Sequence, residues 1–227
     1  MSIGGVSINY KDKVNKILSD MHSVSGTDKG GFGEAAVFVQ TEQYYQRRGG
    51  ILIHSYEYKS HPDMPGNVHI DGRHLSVGKL PGKTEIDILY VSPFHIFPIE
   101  VKAYKAKKIT LTDGAIDGCY KTDKSPIHQN EMHCRHLYKH IFQVIPEGDI
   151  HYKYIIPIVV FVDKCILIDN RSDWQKQYIR VAILNNFIKI LEQLDKPEQY
   201  KLNLSDIDAR LKDAMISNSK YLPVRYV

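Results

Sequence analysis

The feature that most constrains this chain is a pair of apolar stretches, residues 84–92 (TEIDILYVS) and 95–104 (HIFPIEVKAY), separated only by Pro93 and Phe94. Two strand-forming runs joined by so short a connection predict an antiparallel hairpin. With Pro93 and Phe94 as the central turn residues, Ser92 faces His95; counting outward puts Asp87 opposite Glu100 and Glu85 opposite Lys102. Side chains two apart on a strand share a face, so Glu100 and Lys102 point together and Val101 points away. Two carboxylates side by side in an otherwise apolar strand repel each other. A half-buried sheet that keeps such a pair calls for a cation between them, and oxygen donors favour Mg²⁺ or Mn²⁺. A lysine two residues beyond a metal-binding carboxylate can stabilise a phosphate or position the attacking water. Metal, lysine and water together supply the means for phosphodiester hydrolysis. The plainer reading of the same residues is a solvated strand edge with a Glu85–Lys102 ion pair.

Elements on either side of the hairpin define an α/β chain. Val14, Ile17, Leu18 and Met21 form an amphipathic piece within a polar N-terminal segment. Gly30, Gly31 and Gly33 precede a helical run from Glu34 to about Arg48, in which Val37, Phe38, Thr41, Tyr44 and Tyr45 recur at helical spacing and which Gly49-Gly50 ends. Residues 51–58 alternate as a strand, and residues 59–83 are a Gly/Pro/His-rich connection, carrying a minor strand near Val68–Ile70 or acting as a functional loop. Ser125-Pro126 opens a helix over 126–143, residues 153–163 read as a buried strand, 180–194 as an amphipathic helix and 205–217 as another. The order helix, three strands, helix, strand, helix predicts helices packed around a mixed sheet.

Composition narrows the classes further. With 227 residues, 43% apolar and 25% charged, the chain suits one globular domain with extensions and not a disordered or fibrous one. A formal charge of +4 permits a nucleic-acid partner. Eight Lys/Arg against five acidic residues between Glu100 and His140 place positive charge beside the carboxylates, where phosphate contacts would give affinity without sequence specificity. Cys119, Cys134 and Cys165 form no C-x-x-C pair, which excludes a disulfide framework and a Cys-rich zinc site. No window is apolar for the length a bilayer requires, so the expectation is a cytoplasmic protein without membrane contact. The glycines at 30, 31 and 33 are followed by no G-K-[S/T], so a P-loop is not indicated. His133, His136 and His140 fall on one face of the 126–143 helix, together with Gln129. The His136/His140 spacing can chelate zinc, but no H-E-x-x-H motif completes it, and phosphate or base contacts are the better expectation.

The stretch EIDILYVSPFHIFPIEVKAYK, with GFGE upstream and SPIHQNEMH downstream, resembles the nuclease-related domain, NERD, of the PD-(D/E)XK superfamily. The resemblance runs from about Gly31 to about Asp163. It implies a restriction-endonuclease-like αβββαβ core and a site made of Glu34, Asp87, Glu100, Lys102 and Gln129. Asp87 and Glu100 would hold Mg²⁺ or Mn²⁺ with the carbonyl of Val101, and Lys102 would contact the scissile phosphate or the attacking water. Glu34 would add a carboxylate whose ionised form its helix N-terminus favours, and Gln129 would orient water or touch the nucleic acid. Lys105, Lys107, Lys108 and His133 are candidate nucleic-acid contacts. Pro98, just before Glu100, predicts a bulge or late pairing in that strand. The domain reading is an N-terminal extension over 1–29, the nuclease domain over 30–195 and a C-terminal helical extension over 196–227. Three functions fit, and the intact D…E-x-K set favours the first: a divalent-metal-dependent nuclease, expected to be a DNA endonuclease; a non-catalytic nucleic-acid-binding or assembly module; and a partner-binding regulator whose charged strand is only an ion pair. Members of the superfamily often dimerise, so a homodimer is also in view.

Overall fold

The computed structural model describes residues 9–23, 28–59, 67–70, 73–76, 83–104, 107–113, 115–117, 126–142, 154–162, 165–216 and 220–225. Helices α1 (Tyr10–Ser23) and α2 (Asp28–Arg48) lead into strand β1 (Gly50–Lys59). A small hairpin of β2 (Asn67–Ile70) and β3 (Arg73–Ser76) interrupts the connection to β4 (Lys83–Val91) and β5 (Ile96–Lys102). Then come β6 (Lys108–Thr112), β7 (Ala115–Asp117), α3 (Pro126–Phe142), β8 (Ile158–Phe161) and β9 (Ile166–Asp169). The chain continues through α4 (Asp173–Tyr178), β10 (Arg180–Ile183), α5 (Phe187–Leu194), α6 (Leu204–Ala214) and β11 (Lys220–Arg225). The main sheet is mixed, six-stranded and ordered β10-β8-β5-β4-β1-β11, with β8 parallel to both its neighbours and the remaining pairs antiparallel. This is the expected α/β arrangement, a nuclease-like core of α2, β1, β4, β5, α3 and β8 in chain order. Strands β7, β6 and β9 form a separate small sheet.

Apolar surface is removed from water on both faces of the main sheet. Helices α1, α2 and α5 pack on Leu52, Ile88, Tyr90, Phe97, Ile99 and Val101. The opposite face packs α3 and α6 on Ile51, Ile53, Tyr56, Tyr58, Ile86, Leu89, Val91 and Ile96. On this second face the buried members of β1 are 51, 53, 56 and 58, and those of β4 are 91, 89 and 86. Each strand thus skips one residue in its period-2 pattern, Ser55 on β1 and Asp87 on β4. The skipped residues lie opposite each other, since His54 pairs Ile88 and Tyr56 pairs Ile86. Ser55 has φ 54, the left-handed region, which costs a non-glycine residue about 1 kcal/mol and here turns the strand over.

Several elements differ from the sequence expectation. Helix α2 begins at Asp28, so its glycines lie within the first turns; Gly33 is needed where α2 crosses β8, since a Cβ there would sit 2.8 Å from Val162 Cγ2. Pro98 neither bulges nor delays β5: the register runs unshifted from Val91–Ile96 to Ile88–Ile99. Ser92 and His95 form a hydrogen-bonded pair, so alternation makes Leu89–Pro98 a non-hydrogen-bonded one and no β4–β5 bond needs the missing N–H. Residues 180–183 are a strand, not the first turn of a helix, because β10 completes the parallel edge beside β8. The segment after 195 is not helical throughout: α6 packs under the sheet, and β11 pairs along β1 with a register shift near Pro223, which cannot donate to the ladder. Among the described residues no helix is long and apolar enough to cross a membrane.

The closed end of the β4–β5 hairpin is tied to two helices through Asp195, the residue that caps α5. Its side chain is fully buried and accepts hydrogen bonds from Ser92 Oγ at 2.5 Å, Tyr44 OH at 2.9 Å and Arg48 Nε at 3.2 Å, with His95 Nδ1 at 3.5 Å. Burial opposes its ionisation, but the nearby His95 ring, the hydrogen bonds from Ser92 and Tyr44 and the Arg48 charge outweigh that and hold the carboxyl below its ordinary range. Asp195→Ala leaves these donors buried without their acceptor and should destabilise the chain by about 3 kcal/mol in urea unfolding. A depressed folded pKa contributes stability that is present above the ordinary carboxylate range and lost as pH falls through the folded value. Asp195→Asn should therefore unfold at a lower urea concentration at pH 7 and show a flatter decline between pH 5 and pH 2.

Candidate active site

At the open end of the same hairpin the strands part. Main-chain pairing of β4 with β5 ends at Ile88–Ile99, one step before Asp87 would meet Glu100. From there the Val101 N–H donates to Asp87 Oδ2 at 2.7 Å, so a side-chain carboxylate takes the place of the next main-chain acceptor. On β5 the Lys102 carbonyl accepts from Val162 N at 3.1 Å, which directs the main-chain polar groups of Lys102 towards β8. Those of Val101 therefore point the other way, and its carbonyl opens on the same side as the Asp87 carboxylate. The turn itself has Pro93 and Phe94 at its centre, with Ser92 N donating to the His95 carbonyl at 2.8 Å.

Glu100 is 1% exposed although it is a carboxylate. Lys102 Nζ donates to its Oε1, and its Oε2 has no hydrogen-bond partner among the described residues. The imidazole of His133 on α3 lies next to that oxygen, with Nε2 3.6 Å away. Glu34, half-buried on α2, places Oε2 3.9 Å from His54 Nε2. Gln129 is half-buried in the first turn of α3, four residues ahead of His133 and so on the same helix face. The structure thus gathers Asp87, Glu100, Lys102 and the Val101 carbonyl where β4 and β5 separate, and brings Glu34 within electrostatic range of them.

Charge is unevenly distributed in this group. Burial, then Glu100 and Glu34, push the Asp87 carboxyl well above its ordinary range, against the Val101 N–H and Lys102. Burial, then Glu85 and Glu100, push Glu34 up as well. This contradicts the expected helix-terminus effect at Glu34, which stands nearly two turns inside α2 where the dipole has faded. Burial works against ionisation of Glu100 too, but the adjacent His133 imidazole and the Lys102 charge prevail, and its carboxyl is held low. Burial opposes the charge on Lys102, yet Glu100 and Asp87 hold its ammonium above the ordinary value. Three carboxylates against one ammonium leave the group short of positive charge. Among the described residues no three His, Cys, Asp or Glu side chains converge as a preformed metal cage. A cation here would draw on Asp87, Glu100 and the Val101 carbonyl, all oxygen donors.

Other candidates fall elsewhere. His133 is 2% exposed, packed inside, and is not a surface contact for nucleic acid as expected. The three histidines pack around one tyrosine: His133, His136 and His140 surround the Tyr58 ring at centroid distances of 6.2, 5.6 and 5.8 Å. Lys107 and Lys108 are exposed at the start of β6, and Lys105 lies outside the described residues. Sequence reasoning missed Asn130, whose amide donates to the Pro98 carbonyl at 3.2 Å and the Ile158 carbonyl at 3.0 Å, pinning α3 across β5 and β8. A buried amide beside Gln129 was the available signal. It also missed Tyr58, for which the strand pattern held none.

An α/β core of this order, with an acidic hairpin strand ending in Glu-Val-Lys, defines a nuclease-like protein. The family model of the nuclease-related domain, NERD, matches residues 29–162, more than half the chain, and the chain belongs to that family. No curated protein and no solved structure matches it.

Asp87→Asn keeps an acceptor for Val101 N–H while removing one of the repelling charges. A carboxyl with a raised folded pKa loses stability as pH rises from its unfolded value, near 3.9, through its folded one. The metal-free Asn variant should therefore be more stable than the native chain at pH 8 by about 1 kcal/mol and converge with it near pH 4, as read from urea midpoints in EDTA.

Proposed function

We propose that this chain is a divalent-metal-dependent nuclease that hydrolyses phosphodiester bonds, with DNA as its substrate. The observation that carries this reading is the parting of β4 and β5 at Asp87 and Glu100, where buried oxygen donors stand together with too little positive charge. The donor set fits a hard cation, Mg²⁺ or Mn²⁺, held by Asp87, Glu100 and the Val101 carbonyl, with Glu34 adding negative charge beside it. When bound, such an ion polarises the phosphoryl oxygen and makes water a better nucleophile.

The side chains then have separate tasks. Lys102, 24% exposed and tethered to Glu100, offers its ammonium to the charge that builds on the phosphate in the transition state. Glu100 and Asp87 favour its protonated form, which suits an electrostatic role better than that of a base. Gln129, on the helix face towards the site, can hydrogen-bond water or the sugar-phosphate backbone. Lys107 and Lys108 are placed on the surface, where backbone contacts would give affinity without sequence preference.

The test is cleavage of plasmid, linear duplex, single-stranded DNA and RNA in Mg²⁺, Mn²⁺ or EDTA, with Glu100→Ala and Lys102→Ala run alongside. Cutting of the DNA substrates should require metal, vanish in Glu100→Ala and fall by roughly 10²–10³-fold in Lys102→Ala. Failure to cut any substrate, together with no Mn²⁺ uptake in calorimetry, would overturn the catalytic reading and leave a binding or assembly module. Cutting that survives Glu100→Ala would place the activity elsewhere.

A further inference from the structure

Behind Glu100 lies a second row of polar groups. Glu100 Oε2 and His133 Nε2 are both buried, both without a hydrogen-bond partner among the described residues, and face each other at 3.6 Å. The other ring nitrogen of His133, Nδ1, is 2.9 Å from the Tyr58 hydroxyl. Tyr58 is itself fully buried, stacked on Tyr56 at 5.3 Å and bordered by the rings of His136 and His140. Tyr56 is anchored in turn by its hydroxyl, which donates to the Leu211 carbonyl of α6 at 3.0 Å.

The direction of this string follows from its end. An ionised Glu100 can only accept, so a bare Nε2 beside Oε2 would set lone pair against lone pair in a dry interior. With the proton on Nε2, a neutral imidazole presents Nδ1 as an acceptor, and the Tyr58 hydroxyl supplies the donor. We propose that Tyr58 and His133 are positioning residues for Glu100: Tyr58 O–H donates to His133 Nδ1, which turns Nε2–H onto the free oxygen of Glu100. The strand irregularity makes this possible. Uninterrupted alternation along β1 would have put Tyr58 on the same face as Leu52 and His54, against α2; the left-handed Ser55 turns it to α3 instead.

The inference rests on the reading of Glu100 as a metal-binding carboxylate, but it is tested in two ways. In the metal-free full chain, long-range ¹H–¹⁵N spectra of the histidine rings, with His133 assigned from His133→Gln, should show the proton on Nε2. A proton on Nδ1, whether Nε2 is bare or also protonated, would overturn the proposal whether or not metal binds. In calorimetry with Mn²⁺, His133→Ala should weaken binding by roughly 10–100-fold, and His133→Gln, which restores an N–H donor, should recover most of it. Tyr58→Phe should weaken binding by several-fold, with all variants checked for folding by urea unfolding. If Glu100→Ala abolishes Mn²⁺ binding and His133→Ala binds like the native chain, the metal reading stands and the positioning role falls. If the native chain takes up no Mn²⁺, the metal reading falls and the ring spectra alone decide the contact.

Discussion

The contact between the Asp87 carboxylate and the Val101 N–H holds the site together, because it ends one kind of order and begins another. Up to Ile88–Ile99 the hairpin is an ordinary ladder. Had main-chain bonding continued, the Val101 N–H and carbonyl would both have been consumed by β4. By offering a side-chain oxygen to the N–H, Asp87 satisfies a donor that could not be left unpaired inside the protein while leaving the carbonyl beside it turned to the opening. The same bond orients Asp87 against Glu100. The pairing of β4 with β1 and of β5 with β8 supplies the rigidity that keeps the two carboxylates within electrostatic range of each other.

The two ends of the β4–β5 hairpin handle buried charge in opposite ways. At the turn, Asp195 has hydroxyl, phenol and guanidinium donors converging on it, and its carboxyl is easily ionised. At the open end, Asp87 has one N–H and two acidic neighbours, and its carboxyl is hard to ionise. The first arrangement locks α2, α5 and the turn together. The second leaves an electrostatic deficit that the described residues do not relieve, and it is on this deficit that the proposed cation site rests.

Much of this was legible in the residues. The hairpin register followed from Pro93 and Phe94 because a two-residue turn leaves little freedom, and the same register brought Asp87, Glu100 and Lys102 together on paper. The helix of Glu34 was found, but its start was misplaced because glycines in a row look like a loop, whereas Gly33 serves a close crossing with Val162. Strand β10 was hidden because RVAI joined to a helical run shares its apolar period, and β11 because KYLPVR carries a proline and no alternation. Tyr58 and the inward-facing His133 were out of reach for a different reason. Which face a side chain takes depends on counting by twos, and one left-handed serine resets the count without leaving any trace in composition.

Ser55 and Asp87 stand opposite each other as the skipped residues of their strands, and neither occupies a slot in the core. Each strand keeps its full complement of inward apolar side chains on both sides of the interruption: Ile51, Ile53, Tyr56 and Tyr58 on β1, Val91, Leu89 and Ile86 on β4. The acidic residue has thus been admitted into the middle of a sheet as a matched pair of insertions, one per strand, without displacing any hydrophobic partner. Residues at that spot can be exchanged without displacing an apolar side chain, provided that an acceptor for the Val101 N–H is kept.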